Sequence, residues 1–354
     1  MDGRQRVLTA LDGGTPDRIP VALGFRPADL NALAPPGTDV GGLIDVEFVA
    51  YPPTPADEAL RERALPHRPD TRLGTPEQAA TYALWDYHPE HPRERNPLAR
   101  ATCLADIESF DLPTPSAPPD RPRLRADVAA LHARGLAAGG SLPHLGGELF
   151  ESSWRLRGLE NLLLDMVERP AWVDALVARM AEFARTNALA LAQAGVDVLA
   201  LDDDVGSPSG LLLSPAHWRR YFRPHLARII ADVREARSDI HLLFHSDGDY
   251  TGILDDLVAL GFDAINPIQP DHMDPVAIRR RYGKRLALWG TVGYQTTLAL
   301  GTPEEVRAEV VRRIATLGPA ALVLAPCYDL HEPRVPWKNL QAFFQTARDR
   351  GQVR

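Results

Sequence analysis

The sequence predicts an α/β fold, a (β/α)8 TIM barrel with a proline-rich insertion after the first strand. From about Ala194 onward, short apolar runs alternate with amphipathic helical patterns, which is typical of the strand–helix units of a parallel sheet. Seven strands can be read along the chain, and seven or eight sequential units favour a closed barrel over an open sheet. No glycine-rich phosphate-binding turn follows any strand, so an open nucleotide-binding sheet has no support.

Five of the predicted strands are nearly continuous apolar runs, as expected for strands that are buried on both faces. They cover residues 196–203, 240–246, 263–269, 286–292 and 321–326. Two further strands are predicted at 17–25 and 135–143, and an eighth is either near 81–88 or missing.

Two of the predicted helices carry clear start signals. Ser214 precedes a proline at the first helical position, which is typical of an N-cap. Thr302 and Glu305 form the pattern of a capping box, and Gly318 is a stop signal for the same helix.

We interpret residues 1–354 as a single barrel domain. Seventeen of the 32 prolines lie between Pro27 and Pro122, which indicates a loop-rich insertion over 27–122. An insertion after the first strand would lie on the rim at the carboxyl ends of the strands, where the chemistry of such barrels takes place.

Charge and cysteine content narrow the expected partners and setting. The net charge is −8 and no run of five or six basic residues is present, so neither nucleic acid nor an anionic membrane is expected as a partner. The N-terminus lacks the pattern of a signal peptide, and two cysteines cannot build a disulfide framework. A cytoplasmic protein is expected, and the oligomeric state stays open between monomer and homodimer.

Polar residues cluster where the predicted strands end. His245 and Cys327 are both metal-competent, and zinc is the natural candidate. A catalytic zinc site needs a third protein ligand, which spacing leaves open between Asp247, Glu148 and Glu151. The alternative is a satisfied structural histidine and a buried structural cysteine.

Other strand-end residues suggest catalytic and substrate-binding roles. In the run Asp202, Asp203 and Asp204, neighbouring carboxylates could raise one another's pKa for acid–base work, or one could cap the next turn. The residues expected to bind substrate or shape its pocket are Phe25, Asn266, Gln269, Trp289 and Tyr294.

Several segments resemble the uroporphyrinogen decarboxylase-like superfamily, which has a (β/α)8 barrel fold. They include HSDGDYTGILDDLVALGFDAINPIQPDHMD, LALWGTV and APCYDLHEPRVPWKN, and the resemblance extends to RQRVLTALDGGTPDRIPV at the N-terminus. It covers nearly the whole chain and is strongest from Gly147 onward.

The resemblance points more to one branch of that superfamily than to the other. True uroporphyrinogen decarboxylases hold their polyanionic substrate with an arginine-rich segment after the first strand, where this chain has Arg26 alone. Zinc-dependent methyltransferases that work with corrinoid proteins hold the metal with a His-x-Cys-Gly turn and a later Cys. In this chain His245 and Cys327 match the histidine and the later cysteine, whereas Asp247 replaces the cysteine of the turn.

The resemblance therefore implies a zinc-dependent methyltransferase or demethylase that acts on a small methylated substrate. A corrinoid protein or a thiol would accept the methyl group, and His245, Cys327 and Glu151 or Asp247 would hold Zn²⁺. Asp203 and Asp204, with Asp247, would orient substrate or act as acid and base. Two alternatives are a metal-free decarboxylase of a small aromatic or pyrrolic acid and a non-catalytic small-molecule-binding barrel.

Overall fold

The computed structural model describes residues 1–24, 30–50, 96–112, 121–142, 147–327 and 335–353. Its main sheet has seven parallel strands in the order β1-β2-β3-β6-β7-β8-β9. The strands are β1 Val46–Ala50, β2 Ala137–Ser141, β3 Val198–Asp202, β6 His241–His245, β7 Ala264–Asn266, β8 Ala287–Trp289 and β9 Leu322–Val323, and a small hairpin adds β4 Gly206–Ser207 and β5 Gly210–Leu211.

The segment around Val21 closes the sheet into a barrel. Val21 pairs in parallel with Leu324, just after β9, and its carbonyl oxygen accepts the N–H of Asp45, just before β1. Because this segment connects the two edges of the seven-stranded sheet, the predicted barrel is confirmed.

The described helices lie between and around the strands. They are α1 Gly3–Leu11, α2 Leu30–Leu33, α3 Leu104–Glu108, α4 Arg121–Ala133, α5 Phe150–Arg157, α6 Leu159–Glu168, α7 Pro170–Ala194, α8 Pro215–Tyr221, α9 Arg223–Ala236, α10 Leu254–Leu260, α11 Pro275–Tyr282, α12 Pro303–Leu317 and α13 Trp337–Arg350. A 3₁₀ turn covers Thr251–Ile253 and a π-helical turn covers Tyr294–Leu298. None of the helices in the described ranges is long and apolar enough to cross a membrane.

Both predicted helix starts are confirmed. The Ser214 side chain accepts the N–H of His217 at the start of α8. At the start of α12, Thr302 and Glu305 form the reciprocal hydrogen bonds of a capping box. These caps satisfy backbone N–H groups that have no partner within the helix.

One barrel strand, β1, was not predicted from the sequence. Val46–Ala50 lies within the proline-rich stretch 27–122 and pairs with β2 over five residues. The stretch follows the first strand as expected, but it also supplies part of the barrel wall. The eighth strand that was expected near 81–88 falls outside the described residues.

Small side chains dominate the interior of the barrel. The inward-facing cluster consists of Val7, Leu11, Ala22, Val46, Phe48, Ala137, Val198, Ala200, Leu243, Ala264, Ala287, Trp289, Ala321, Val323 and Ala325. The rings of Phe48 and Trp289 meet edge to face with centroids 6.0 Å apart, so two large side chains fill the space that the alanines leave. Val7 and Leu11 belong to α1, which packs against the amino ends of the strands.

Candidate functional site

Strand alternation carries polar side chains to the mouth of the barrel. Inward-facing residues occur at every second position, and the next inward positions after the apolar cluster are polar. These next positions are Asp202, His245, Asn266, Thr291 and Cys327, at the carboxyl ends of β3, β6, β7, β8 and β9. This end of a parallel barrel is where active sites are built.

A hydrogen-bond relay fixes the orientation of the His245 ring. Asn266 donates from its amide nitrogen Nδ2 to the carbonyl oxygen of Trp289 at 3.1 Å, so its amide oxygen faces His245. That oxygen lies 2.6 Å from His245 Nδ1, which must therefore carry the proton. In a neutral imidazole Nε2 then carries the lone pair, which is the form of a metal-binding histidine.

Asp202 and Asp204 face this ring nitrogen. His245 Nε2 lies 3.9 Å from Asp202 Oδ1 and 3.8 Å from Asp204 Oδ1. In the part of the chain that the structure describes, these three residues are the one group whose ligand atoms all lie within 4.8 Å of one another. Two carboxylates at such a spacing repel by roughly 3 kcal/mol at an effective dielectric constant near 20. A divalent cation would relieve that repulsion.

Asp203, in contrast, anchors a helix. Its carboxylate accepts the N–H groups of Phe150 and Glu151 at 2.9 Å and that of Leu149 at 3.4 Å, at the start of α5. Burial raises the pKa of Asp203 to about 7, although the three N–H donors act in the opposite direction. The aspartate run was expected either to do acid–base work or to cap a turn, and the contacts of Asp203 are those of a cap.

Glu151 is the acidic residue that this helix brings to the mouth. It is 3% exposed, and its Oε1 accepts hydrogen bonds from Arg155 one turn later. Oε2 has no hydrogen-bond partner among the described residues. Burial raises the pKa of Glu151 to about 8; the guanidinium of Arg155 opposes this and the charge of Asp204 adds to it.

Asp247 and Gln269 tie the neighbouring loops together. Gln269 donates from Nε2 to Asp247 Oδ1 at 3.1 Å and accepts the N–H of Gly248 on Oε1 at 2.7 Å. The backbone N–H of Asp247 donates to Asp204 Oδ1 at 2.6 Å. The position of Asp204 therefore depends on the loop after β6.

Cys327 is inward-facing but separate from this group. Its Sγ lies 3.5 Å from the carbonyl oxygens of Ile268 and Gly290, and the residue is 2% exposed. Burial raises the pKa of the Cys327 thiol well above its ordinary value. The group formed around His245 includes neither Cys327 nor Glu151.

The aromatic residues predicted to line the pocket differ in placement. Trp289 is fully buried in the barrel interior, and Tyr294 is 7% exposed at the start of the π-helical turn. Phe25 lies outside the described residues. The structure gives Trp289 a packing role and brings Tyr294 to the loop after β8.

Asp202 was predicted only as one member of the acidic run, and Thr291 was given no role. Thr291 is fully buried, and its Oγ1 has no hydrogen-bond partner in the described ranges. Inward parity with the apolar strand residues is the signal that would have selected both, because it places Asp202 in line with Val198 and Ala200.

Gly290 also matters to the site through the space that it leaves open. Its φ is +79°, and a Cβ at this position would lie 2.8 Å from the Asn266 amide nitrogen. A larger residue would therefore disturb the amide that orients His245.

A polar cavity of 530 Å³ lies beside the mouth, lined in part by Asp271, Thr297, Glu309 and Arg313. Glu309 accepts hydrogen bonds from Arg313 and from the Gly293 N–H, so its charge is compensated. Asp202, Asp204 and His245 do not line this cavity.

Comparison with known proteins places the chain in a family. The family model described as uroporphyrinogen decarboxylase (URO-D) matches residues 153–350, more than half of the chain. A methylcobamide:CoM methyltransferase, MtaA, from Methanosarcina barkeri is 30% identical over 168 residues, which cover 48% of this chain and 46% of that protein. The protein of the same name from the strain Fusaro is 29% identical over 169 residues, with the same coverage. The match thus spans about half the length of these curated relatives.

A solved structure shares the fold over the whole length. It is described as a methyltransferase from Methanosarcina mazei, and it aligns with a TM-score of 0.62 at 19% identity over 99% of both chains. The curated relatives support the methyltransferase branch that the sequence motifs indicated. The chain belongs to the uroporphyrinogen decarboxylase (URO-D) family.

Proposed function

We propose that the protein is a corrinoid-linked methyltransferase or demethylase that acts on a small methylated substrate. The observation that carries this proposal is the oriented His245 beside Asp202 and Asp204 at the barrel mouth, in a chain whose curated relatives are methyltransferases. A corrinoid protein or a thiol is the proposed methyl acceptor.

The described residues fit a divalent metal, for which zinc is the proposed ion. Imidazole nitrogen and carboxylate oxygen are both zinc ligands, and the Nε2 lone pair of His245 faces two carboxylates. When bound, the ion would act as a Lewis acid that lowers the pKa of a thiol or polarises a heteroatom bearing a methyl group. The ligand set predicted from the sequence, His245 with Cys327 and Glu151, stays a prediction.

The chain's own residues would position the substrate around this point. Asp204 and Asp247 are only partly buried, so they are the carboxylates that a substrate in the mouth can reach. We propose that both orient it, that Asp247 transfers protons, and that Gln269 holds Asp247 in place. Asp203 would act indirectly, by holding the helix that carries Glu151.

Methyl transfer from methylcobalamin to a panel of small thiols, CoM among them, tests the proposal. The purified full chain, loaded with zinc, should convert at least one thiol to its methyl thioether, detected by mass spectrometry. The loss of the methyl–cobalt absorption should follow the same time course. Methylated ethers and amines, with reduced cobalamin as acceptor, test the demethylase direction.

A contrary result would favour the alternative function, a metal-free decarboxylase. If the metal-loaded protein transfers no methyl group in either direction but releases CO2 from a small aromatic or pyrrolic acid, the methyltransferase proposal fails.

Removing the support of His245 should weaken metal binding without abolishing it. We expect Asn266→Ala to raise the zinc dissociation constant by about 10- to 100-fold, as loss of an outer hydrogen bond to a histidine ligand typically does. Competition against a chromophoric zinc chelator measures this change. Gln352→Ala, at the far end of the chain, is the control and should bind zinc like the wild type; an Asn266→Ala variant with equal affinity would contradict the orienting role.

A further inference from the structure

The geometry at the barrel mouth selects a particular set of metal ligands. Asp202, Asp204 and His245 bring two oxygens and one nitrogen within 4.8 Å of one another. The distances of 3.8 and 3.9 Å from His245 Nε2 are too long for direct hydrogen bonds. Bonds of about 2.1 Å to one tetrahedral ion would hold such atoms about 3.4 Å apart. The two distances from His245 Nε2 exceed this spacing by about half an ångström or less.

The histidine is prepared for this role. Its Nδ1–H is committed to Asn266, and Asn266 is held in turn by the Trp289 carbonyl. Side-chain exposure is 8% for His245 and 2% for Asp202, whereas it is 21% for Asp204. The group is thus closed on the barrel side and open toward solvent at Asp204, as an ion with an exchangeable position requires.

A second observation points to the same place. Glu151 is buried, its Oε2 has no hydrogen-bond partner among the described residues, and its charge interacts with that of Asp204. Buried carboxylate oxygens are normally hydrogen-bonded or bound to a cation. Glu151 thus supplies a further oxygen of the same chemical type near Asp204, outside the group of three.

The sulfur of Cys327 is directed elsewhere. It lies against the carbonyl oxygens of Ile268 and Gly290, and it is not among the atoms that converge on His245. Asp247 stands where the resemblance places a cysteine, and its carboxylate is engaged by Gln269. No described thiol therefore joins the group.

We propose that Asp202, Asp204 and His245 hold a divalent cation through two oxygens and one nitrogen, without the thiolate of Cys327. Such a set suits Mn²⁺ and Fe²⁺ as well as Zn²⁺, whereas thiolate ligands favour softer ions. The inference rests on the proposed function for the role of the ion, but ion binding is measured without any methyl donor.

Cobalt(II) is the probe, because a thiolate bound to Co²⁺ produces an intense near-ultraviolet charge-transfer band. The full chain carrying Cys103→Ser, which removes the exposed cysteine, is freed of metal and titrated with Co²⁺. We expect one equivalent to bind with visible ligand-field bands and no charge-transfer band. Adding Cys327→Ser should leave the spectrum and the affinity unchanged.

The ligand variants give the complementary result. Asp204→Asn and His245→Ala should each weaken Co²⁺ binding by more than about tenfold, the lower range for losing even an outer-shell partner. Asp204 lies at the open edge of the group, so Asp204→Asn should keep the wild-type circular dichroism. It therefore tests the proposal even where Asp202→Asn, at a buried position, does not fold.

A charge-transfer band that disappears in Cys327→Ser would overturn the proposal, as would Co²⁺ affinity that is unchanged in Asp204→Asn. Failure of the folded protein to bind Co²⁺ would overturn it too. A failed methyl-transfer assay with normal Co²⁺ binding would reject the proposed function alone.

Discussion

Replacing His245 with alanine should lower kcat/KM for methyl transfer by at least about a thousandfold, the effect of losing several kcal/mol of Lewis-acid stabilisation. His245 is the nitrogen donor of the candidate metal group, and its ring is oriented by Asn266. The assay is the methylcobalamin-to-thiol reaction with zinc-loaded protein. Metal content measured on the same sample should fall in parallel.

The same strand supplies a matched control. His241 begins β6 at the opposite end of the barrel, where its imidazole lies near Asp12 and Asp263. We expect His241→Ala to retain methyl transfer within about threefold, because residues at the amino ends of barrel strands contribute to stability and not to the chemistry at the other end. Equal activity in His245→Ala and His241→Ala would contradict the proposed site.

Replacing Asp197 with alanine should lower the free energy of unfolding by about 3 kcal/mol, in the range for breaking a buried ion pair. Asp197 is 1% exposed and lies just before β3. It accepts hydrogen bonds from Arg4 at 2.9 Å and from the Ala138 N–H at 3.0 Å, and lies 2.8 Å from His132 Nε2. Its removal leaves that backbone N–H buried without a partner. Urea unfolding at pH 7 measures the loss.

The effect should depend on pH. Burial alone would raise the pKa of Asp197, but the hydrogen bonds of Arg4, Ala138 and His132 together outweigh it and lower the pKa. A carboxylate with a lowered pKa stabilises the fold above its unfolded value, about 3.9, and loses that contribution as pH falls through the folded value. The difference between wild type and Asp197→Ala should therefore shrink below about pH 4.

Asp239 is the control for this prediction. Its side chain is 74% exposed, and it pairs with Arg237, which also reaches Asp197 at 3.5 Å. We expect Asp239→Ala to cost less than about 0.5 kcal/mol at pH 7. A similar cost for both variants would show that burial of Asp197 adds nothing.

The barrel could be predicted from the sequence because its strands are local signals. The run 196–203 is apolar and β-branched, and it became Val198–Asp202 with every residue buried. The strand Val46–Ala50 escaped prediction because it is short, carries the charged Glu47 and lies among prolines. It is recognised as a strand only through its pairing with β2, which is distant in the sequence.

The rule that strand ends converge put His245 and Asp204 on one rim, and their side chains lie 3.8 Å apart. The roles predicted for the site residues stay predictions. The sequence treated Asp203 and Asp204 as equivalent, but adjacent residues of an extended chain point in different directions. Asp203 turns to the start of α5 and Asp204 turns to His245.

The sequence by itself determined the fold class, the rim on which the chemistry lies and the candidate histidine, because these follow from apolar periodicity and strand ends. Only the tertiary structure decided which donors meet His245. That choice depends on strand register, which sets Asp202 beside His245 and His245 beside Asn266. Cys327 follows β9, three strands from β6, and its sulfur lies against backbone carbonyls. The hydrophobic pattern of each strand fixes which face is buried, but which residues of two strands lie side by side is decided only when strands distant in the chain pack together.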